Sequence, residues 1–282
     1  MKITKILVPT DFSDNATEAL KTAAELAYLN NAELHLLHAF GLPDRFYNDE
    51  AQNYLRKIAT DLKEENEVKL SELAEDLLNE LSYSNITTKV FAQNLSLTES
   101  VEDYVSKNKV DFIVMGTKGA NNVEDMVFGS NTAKVIEMSL CPVLSVPQGG
   151  KVVFKNMVHA VDVDNVSMEN IQFLAELAKS HNGNITLLNV ANEITSEIAE
   201  KFSVFEDRVR SEINYENLHF KLFQGTDVFE SIDAFVKATE ADLLSTSRKE
   251  RTGFFARLFD SSLSETIALY SDVSLLSLKL KK

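Results

Sequence analysis

A chain of 282 residues, 44% apolar and 25% charged, has the composition of a globular protein and room for one large or two ordinary α/β domains. Its 28 Lys and Arg stand against 43 Asp and Glu, a net charge of -15, which repels nucleic acid and anionic membranes at long range and argues against both as partners. The single cysteine, Cys141, excludes an internal disulfide and a cysteine-built metal site. The opening apolar run is cut by Pro9 and Asp11, and no stretch approaches the roughly 18 apolar residues of a membrane span; a cytoplasmic location is expected.

The segment KILVPTDFSDNATEALKTAAELA begins as a short apolar strand, reaches Asp11 and enters a helix after the capping candidates Ser13 and Asp14. Strands are expected near 3–9, 33–39, 87–91, 111–115 and 143–146, with helices between them. That alternation predicts a parallel sheet with helices on both faces. Between the second and third strands, residues 48–81 carry Leu55, Ile58, Leu62, Leu70, Leu73, Leu77 and Leu81, the spacing of one long or two short amphipathic helices covering a sheet face.

After the fourth strand, Gly116, Gly119 and Gly129 follow Met115 at the spacing G-x2-G-x9-G, with Ser130 next. A helix from Asn131 to about Leu140 then stops before Pro142. A strand, a glycine loop and a helix N-terminus together suit a phosphate chain. Gly116 and Gly119 allow close backbone approach, and the amides of Gly129 and Ser130 sit at the positive end of the helix. The loop leaves the carboxyl end of its strand, where open α/β sheets bind ligands. Asp11 leaves the carboxyl end of the first strand and should converge on it if the two strands are neighbours. Lys118 is as readily a solvated lysine as a phosphate contact, and there is no P-loop motif.

The chain then repeats itself. Asp11 falls on Asp162, AELA at 24–27 on AELA at 175–178, and Leu36-Leu37 on Leu187-Leu188, a constant offset of 151. Further on the offset becomes 131, placing Gln93 on Gln224 and Asp111 on Asp242. Two domains are expected, residues 1–148 and 151–282, divided near Gly149-Gly150. In the second, Ser247, Glu250 and Asp260 stand where the first has glycines, and only Ser261 survives from the signature. Two carboxylates where phosphates would lie repel them, so the second domain is expected to bind no ATP there. The cluster Arg248, Lys249, Arg251 and Arg257 is read as pairing with these acids.

The order V-P-x-D, helix, M-G-x2-G-x9-G-S, helix, C-P-V-L-x-V-P over residues 3–147 resembles the universal stress protein family, and the second copy extends the resemblance over the chain. The resemblance implies two doubly wound five-stranded domains of strand order 3-2-1-4-5, the adenine nucleotide alpha hydrolase-like arrangement. It implies a pseudo-dimer of the two domains through their last strands, and leaves a homodimer open. It also implies ATP as ligand, with Mg²⁺ admitted as its companion. Pro9 and Asp11 would lie at base and ribose, Ala39 at the adenine, Met115 near the nucleoside, and Gly116, Gly119, Gly129, Ser130 and Asn131 at the phosphates.

Other chemistry is thin. The histidines are scattered, and His35, His38 and His159 read as packing or hydrogen-bonding residues; Asp162 and Asp164 lack a partner loop for metal, and Cys141 reads as core. An ATP-binding regulatory protein with at most weak hydrolysis is the expected function. A slow ATPase or nucleotidyl-transfer enzyme, and an interaction module without ligand, are the alternatives.

Overall fold

The computed structural model describes residues 2–42, 49–117, 130–248 and 273–279. In chain order the elements are β1 (Lys5–Pro9), α1 (Asp14–Asn30), β2 (Glu33–Phe40), α2 (Asp49–Glu80), β3 (Thr88–Asn94), α3 (Leu97–Asn108), β4 (Phe112–Gly116), α4 (Ser130–Met138) and β5 (Val143–Val146). They continue with β6 (Asn156–Ala160), α5 (Met168–His181), β7 (Asn184–Ala191), α6 (Ser196–Glu212), β8 (Leu218–Gln224), α7 (Val228–Ala238), β9 (Leu243–Arg248) and β10 (Ser274–Lys279).

The strands form one ten-stranded sheet in the order β3-β2-β1-β4-β5-β10-β9-β6-β7-β8. Each half runs 3-2-1-4-5, as the resemblance implied, and β1 and β4 are neighbours in register Ile6 to Phe112 and Leu7 to Ile113. The two halves merge where β5 and β10 pair antiparallel, Leu144 opposite Leu276. Every other pairing is parallel.

The repeat extends to single capping groups. Asn31 and Asn182, 151 residues apart, both close a helix in the left-handed conformation, at φ 50° and 49°. Lys109 and Glu240, 131 apart, do the same after α3 and α7, at φ 53° and 49°. Asn tolerates that region better than other residues that carry a Cβ. The Asp111 carboxylate accepts the amide N–H groups of Thr4 and Lys5, and Asp242 accepts those of Lys155 and Asn156. Each carboxylate therefore satisfies the amides at the start of the first strand in its half and ties that strand to the fourth.

Alternating strand residues face opposite layers. On one face Ile6, Val8, Val114 and Leu144 meet α1 and the end of α2, and the same cluster continues through Leu276, Leu243 and α5 in the second half. Phe112 of β4 touches Phe173 of α5, ring centroids 5.7 Å apart, so this core crosses the seam. On the other face the core is divided: Leu7, Ile113, Val135 and Ile136 pack in the first half, and Val158, Leu188, Ile232 and Leu244 in the second.

The expected segment 48–81 is a single helix, but it covers the sheet only with its carboxyl-terminal part. Leu70, Ala74 and Leu77 are buried, and no residue of 52–69 is. A helix of 32 residues is about 48 Å long, nearly twice the roughly 26 Å of an eight-residue strand, so it overhangs the sheet.

His159 and His181 are buried, and burial pushes both down to about 4. Below the ordinary histidine value of 6.5 the unfolded chain takes up protons that the native state refuses, so stability falls as pH drops from about 6.5 toward 4, by on the order of 3 kcal/mol for each. Urea unfolding at pH 7.5 and at pH 5 should show this loss, and His159→Gln should show a smaller one. An equal loss in the variant would refute the assignment.

Candidate functional site

The carboxyl ends of β1, β2 and β4 lie side by side. Pro9 pairs with Leu37, so His38, Ala39 and Phe40 run on past the end of β1. Continuing the β1–β4 register places Pro9 level with Met115 and Thr10 level with Gly116. Ala39 and Gly116 are two strands apart, roughly 10 Å, a span over which a nucleoside separates its base from its phosphates.

The turn from β1 into α1 is held tightly. The Thr10 N–H donates to the Leu37 carbonyl at 2.9 Å, and the His38 Nδ1 lies 2.8 Å from the Thr10 carbonyl oxygen, which fixes that nitrogen as the protonated one. Phe12 adopts φ 64°, a region costly for an aromatic residue. Its N–H donates to the Thr10 Oγ1 at 3.1 Å and its ring packs on His38 at 4.7 Å. The Asp11 carboxylate accepts the Ser13 N–H at 3.1 Å and Ser13 caps α1 by accepting from Ala16. Asp11 is thereby exposed at the rim beside the helix start.

Gly116 answers to a different neighbour from the one its spacing suggested. A Cβ there would stand 2.9 Å from the Asn15 carbonyl oxygen and 3.1 Å from its carbon. The glycine is needed because α1 closes on the end of β4, whatever it also offers a ligand. Around it, the Asn15 amide donates to the Thr117 Oγ1 at 3.4 Å and the Thr132 hydroxyl donates to the Gly116 carbonyl at 2.9 Å. Thr132 pins the first turn of α4 to the end of β4, leaving Ser130 and Asn131 exposed beside Asp11's strand end. First-turn amides of a helix have no partner within it, so this start suits an anion.

Pro9 and Met115 are buried, Met115 within the core under α4, and Ala39 is half-buried at the strand end. Gly119, Gly129 and Lys118 lie outside the described residues, as do Lys249, Glu250, Arg251, Arg257, Asp260 and Ser261. The positioning residues Phe12, Asn15, Thr117 and Thr132 escaped the sequence reading, since their roles depend on contacts across strands; only the string G-S-N-T after Gly129 hinted at Thr132.

His35, His38 and His159 are hydrogen-bonded, as expected. The His35 ring bridges the Tyr104 hydroxyl and the Glu33 carboxylate, each at 2.9 Å, and Lys89 with His35 holds Glu33 down at about 2. The Asp162 carboxylate accepts from the Asp164 N–H and the Asn165 amide, a local turn. Among the described residues no group of His, Cys, Asp and Glu could hold a metal, and no helix is long and apolar enough to cross a membrane.

A family model described as the universal stress protein family matches residues 2–147. The universal stress protein MJ0531 of Methanocaldococcus jannaschii is 33% identical over 147 residues, 52% of this chain and 84% of that protein. The universal stress protein YxiE of Bacillus subtilis is 29% identical over 150 residues, 50% of this chain and 97% of that protein. A solved universal stress protein from Archaeoglobus fulgidus superposes with a TM-score of 0.69 at 19% identity, covering 99% of this chain and 97% of that one, a likeness of fold across both halves.

Gly116→Ala should lower stability by about 1–3 kcal/mol, because the added methyl meets backbone. A thermal melt unchanged by the substitution would show that α1 does not close on β4 as described.

Proposed function

The chain belongs to the universal stress protein family, and from that premise we propose that it is an ATP-binding regulatory protein with its nucleotide in the first half only. The observation that carries the reading is the meeting of the β1, β2 and β4 ends with the start of α4, at the one place where the sequence has the spacing G-x2-G-x9-G-S. Ala39 and Pro9 would flank the base, Asp11 the ribose, and Gly116, Gly119, Gly129, Ser130 and Asn131 the phosphates, with Mg²⁺ accompanying the triphosphate.

The division into 1–148, with the intact motif, and 151–282, with the degenerate one, belongs to the same proposal. So does action in the cytoplasm. What supports an unoccupied second phosphate site is charge: Glu250 and Asp260 replace glycines, and a carboxylate beside a phosphate is repelled at short range. Nucleotide occupancy then sets conformation or partner choice, and turnover is slow because positioned groups beyond a phosphate cradle are what phosphoryl transfer requires.

Freshly purified protein, denatured and assayed by mass spectrometry for released nucleotide, should yield ATP at about one per chain after loading with Mg·ATP, and Asp11→Ala should weaken retention roughly tenfold. Two nucleotides per chain would overturn the one-site claim. No uptake at all would overturn the reading.

A further inference from the structure

A cavity of about 730 Å³ lies at the seam, where the carboxyl end of β10 meets the start of β5. Both halves wall it. Val110 and Cys141 come from the feet of β4 and β5, Phe173 from α5, Ile213 from the end of α6 and Leu278 from β10. All five are buried, so the fold itself supplies an apolar lining. None of the first-half positions assigned above to the nucleotide lines this cavity. Nor is it the second copy of the base and ribose position, since β10 stands two places from β6 in the sheet.

The volume falls within the range of roughly 300–1,000 Å³ that encloses a small organic ligand. The polar groups decide its charge. The carboxylates of Asp111, Glu169 and Glu212 line the cavity against one ammonium, that of Lys279. Asp111 is engaged by the amides of Thr4 and Lys5, and Glu212 pairs with Arg208 at 2.9 Å. Glu169 stands in the first turn of α5, where the helix dipole favours a negative side chain. Beside it Asn170, 8% exposed, donates its amide to the Ser247 hydroxyl at 2.8 Å, while its side-chain oxygen accepts no hydrogen bond among the described residues. A buried oxygen without a donor costs free energy, and an N–H group of a ligand removes that cost. An anion would meet repulsion from the carboxylates, and a molecule without donors would leave Asn170 unsatisfied. An apolar body carrying a protonated amine answers both groups and the lining.

We propose that the seam cavity binds a small amphipathic cation, its ammonium group at Glu169 and Asn170 and its hydrocarbon body against Val110, Phe173 and Leu278. The site goes beyond the nucleotide reading of the first half and does not depend on it. Because both halves wall it, a bound ligand braces the joint between them.

Calorimetry at pH 7 with n-decylamine as probe tests this, with decanoate and decanol as controls of the same chain length, in protein with and without Mg·ATP. One amine per chain should bind, roughly tenfold or more tighter than either control. Val105→Trp, which fills the cavity from the end of α3, and Glu169→Lys, at an exposed position, should each weaken it by roughly tenfold while ATP stoichiometry stays unchanged. Should Val105→Trp fail to fold, Glu169→Lys decides alone. No amine binding, equal binding of decanoate, several amines per chain as expected of an acidic surface at large, or binding that Glu169→Lys leaves unaltered in protein with a wild-type circular dichroism melt overturns the proposal. Failure of ATP to bind, with the amine bound as described, overturns the nucleotide reading and supports this one.

Discussion

The antiparallel pairing of β5 with β10 is the constraint from which the arrangement of the whole molecule follows. Each half alone would end on an apolar edge strand, V-L-S-V in one and S-L-L-S-L-K in the other, with a row of unpaired backbone groups. Pairing them removes both edges, and the Ser145 hydroxyl adds a bond to the Leu275 carbonyl at 3.2 Å. It also joins the two cores on the face of α1 and α5, where Phe112 and Phe173 meet across the seam. Since parallel half-sheets joined antiparallel must point opposite ways, the carboxyl ends of their strands are set at opposite ends of the sheet.

That geometry keeps the strand ends of the two halves apart, so that residues at one can differ without disturbing the other. What both retain is the framework: the carboxylates of Asp111 and Asp242 on the first strands, and the left-handed helix ends at Asn31 and Asn182. These contacts fix strand order and helix length. Among the residues that differ are those at the ends of β4 and β9, Gly116 against Ser247.

The fold was legible in the sequence because its signals are local. Apolar strands of four to eight residues, Ser13 before a helix and Pro142 after one can be read from composition and spacing, and the offsets of 151 and 131 duplicate the reading. The long helix was legible as a helix but not in its placement, since periodicity at Leu55, Ile58 and Leu62 says nothing of whether a partner lies beneath it. The candidate site was legible as a glycine pattern and an aspartate. Its supporting contacts were not. Asn15 against Gly116, Thr132 on the Gly116 carbonyl and His38 on Thr10 join segments from 16 to over 100 positions apart in sequence, and no single-sequence pattern encodes them.

Gly116 shows how a site can decay while its fold survives. In the first half the residue is glycine because α1 packs its backbone against the end of β4, and Val8 and Val114 fill the core behind it. In the second half the corresponding residues are Ser247, His159 and Ser245. They form a buried polar chain: the Asn170 amide donates to the Ser247 hydroxyl at 2.8 Å, Ser247 lies 3.5 Å from the His159 Nε2, and the His159 Nδ1 lies 3.1 Å from the Ser245 hydroxyl. A hydroxyl introduced at the strand end would have been costly in an apolar core, and the histidine and asparagine supply its partners. Beyond that strand end the sequence of the second copy carries Glu250 and Asp260 where the first has Gly119 and Gly129, while the sheet keeps the same strand order in both halves.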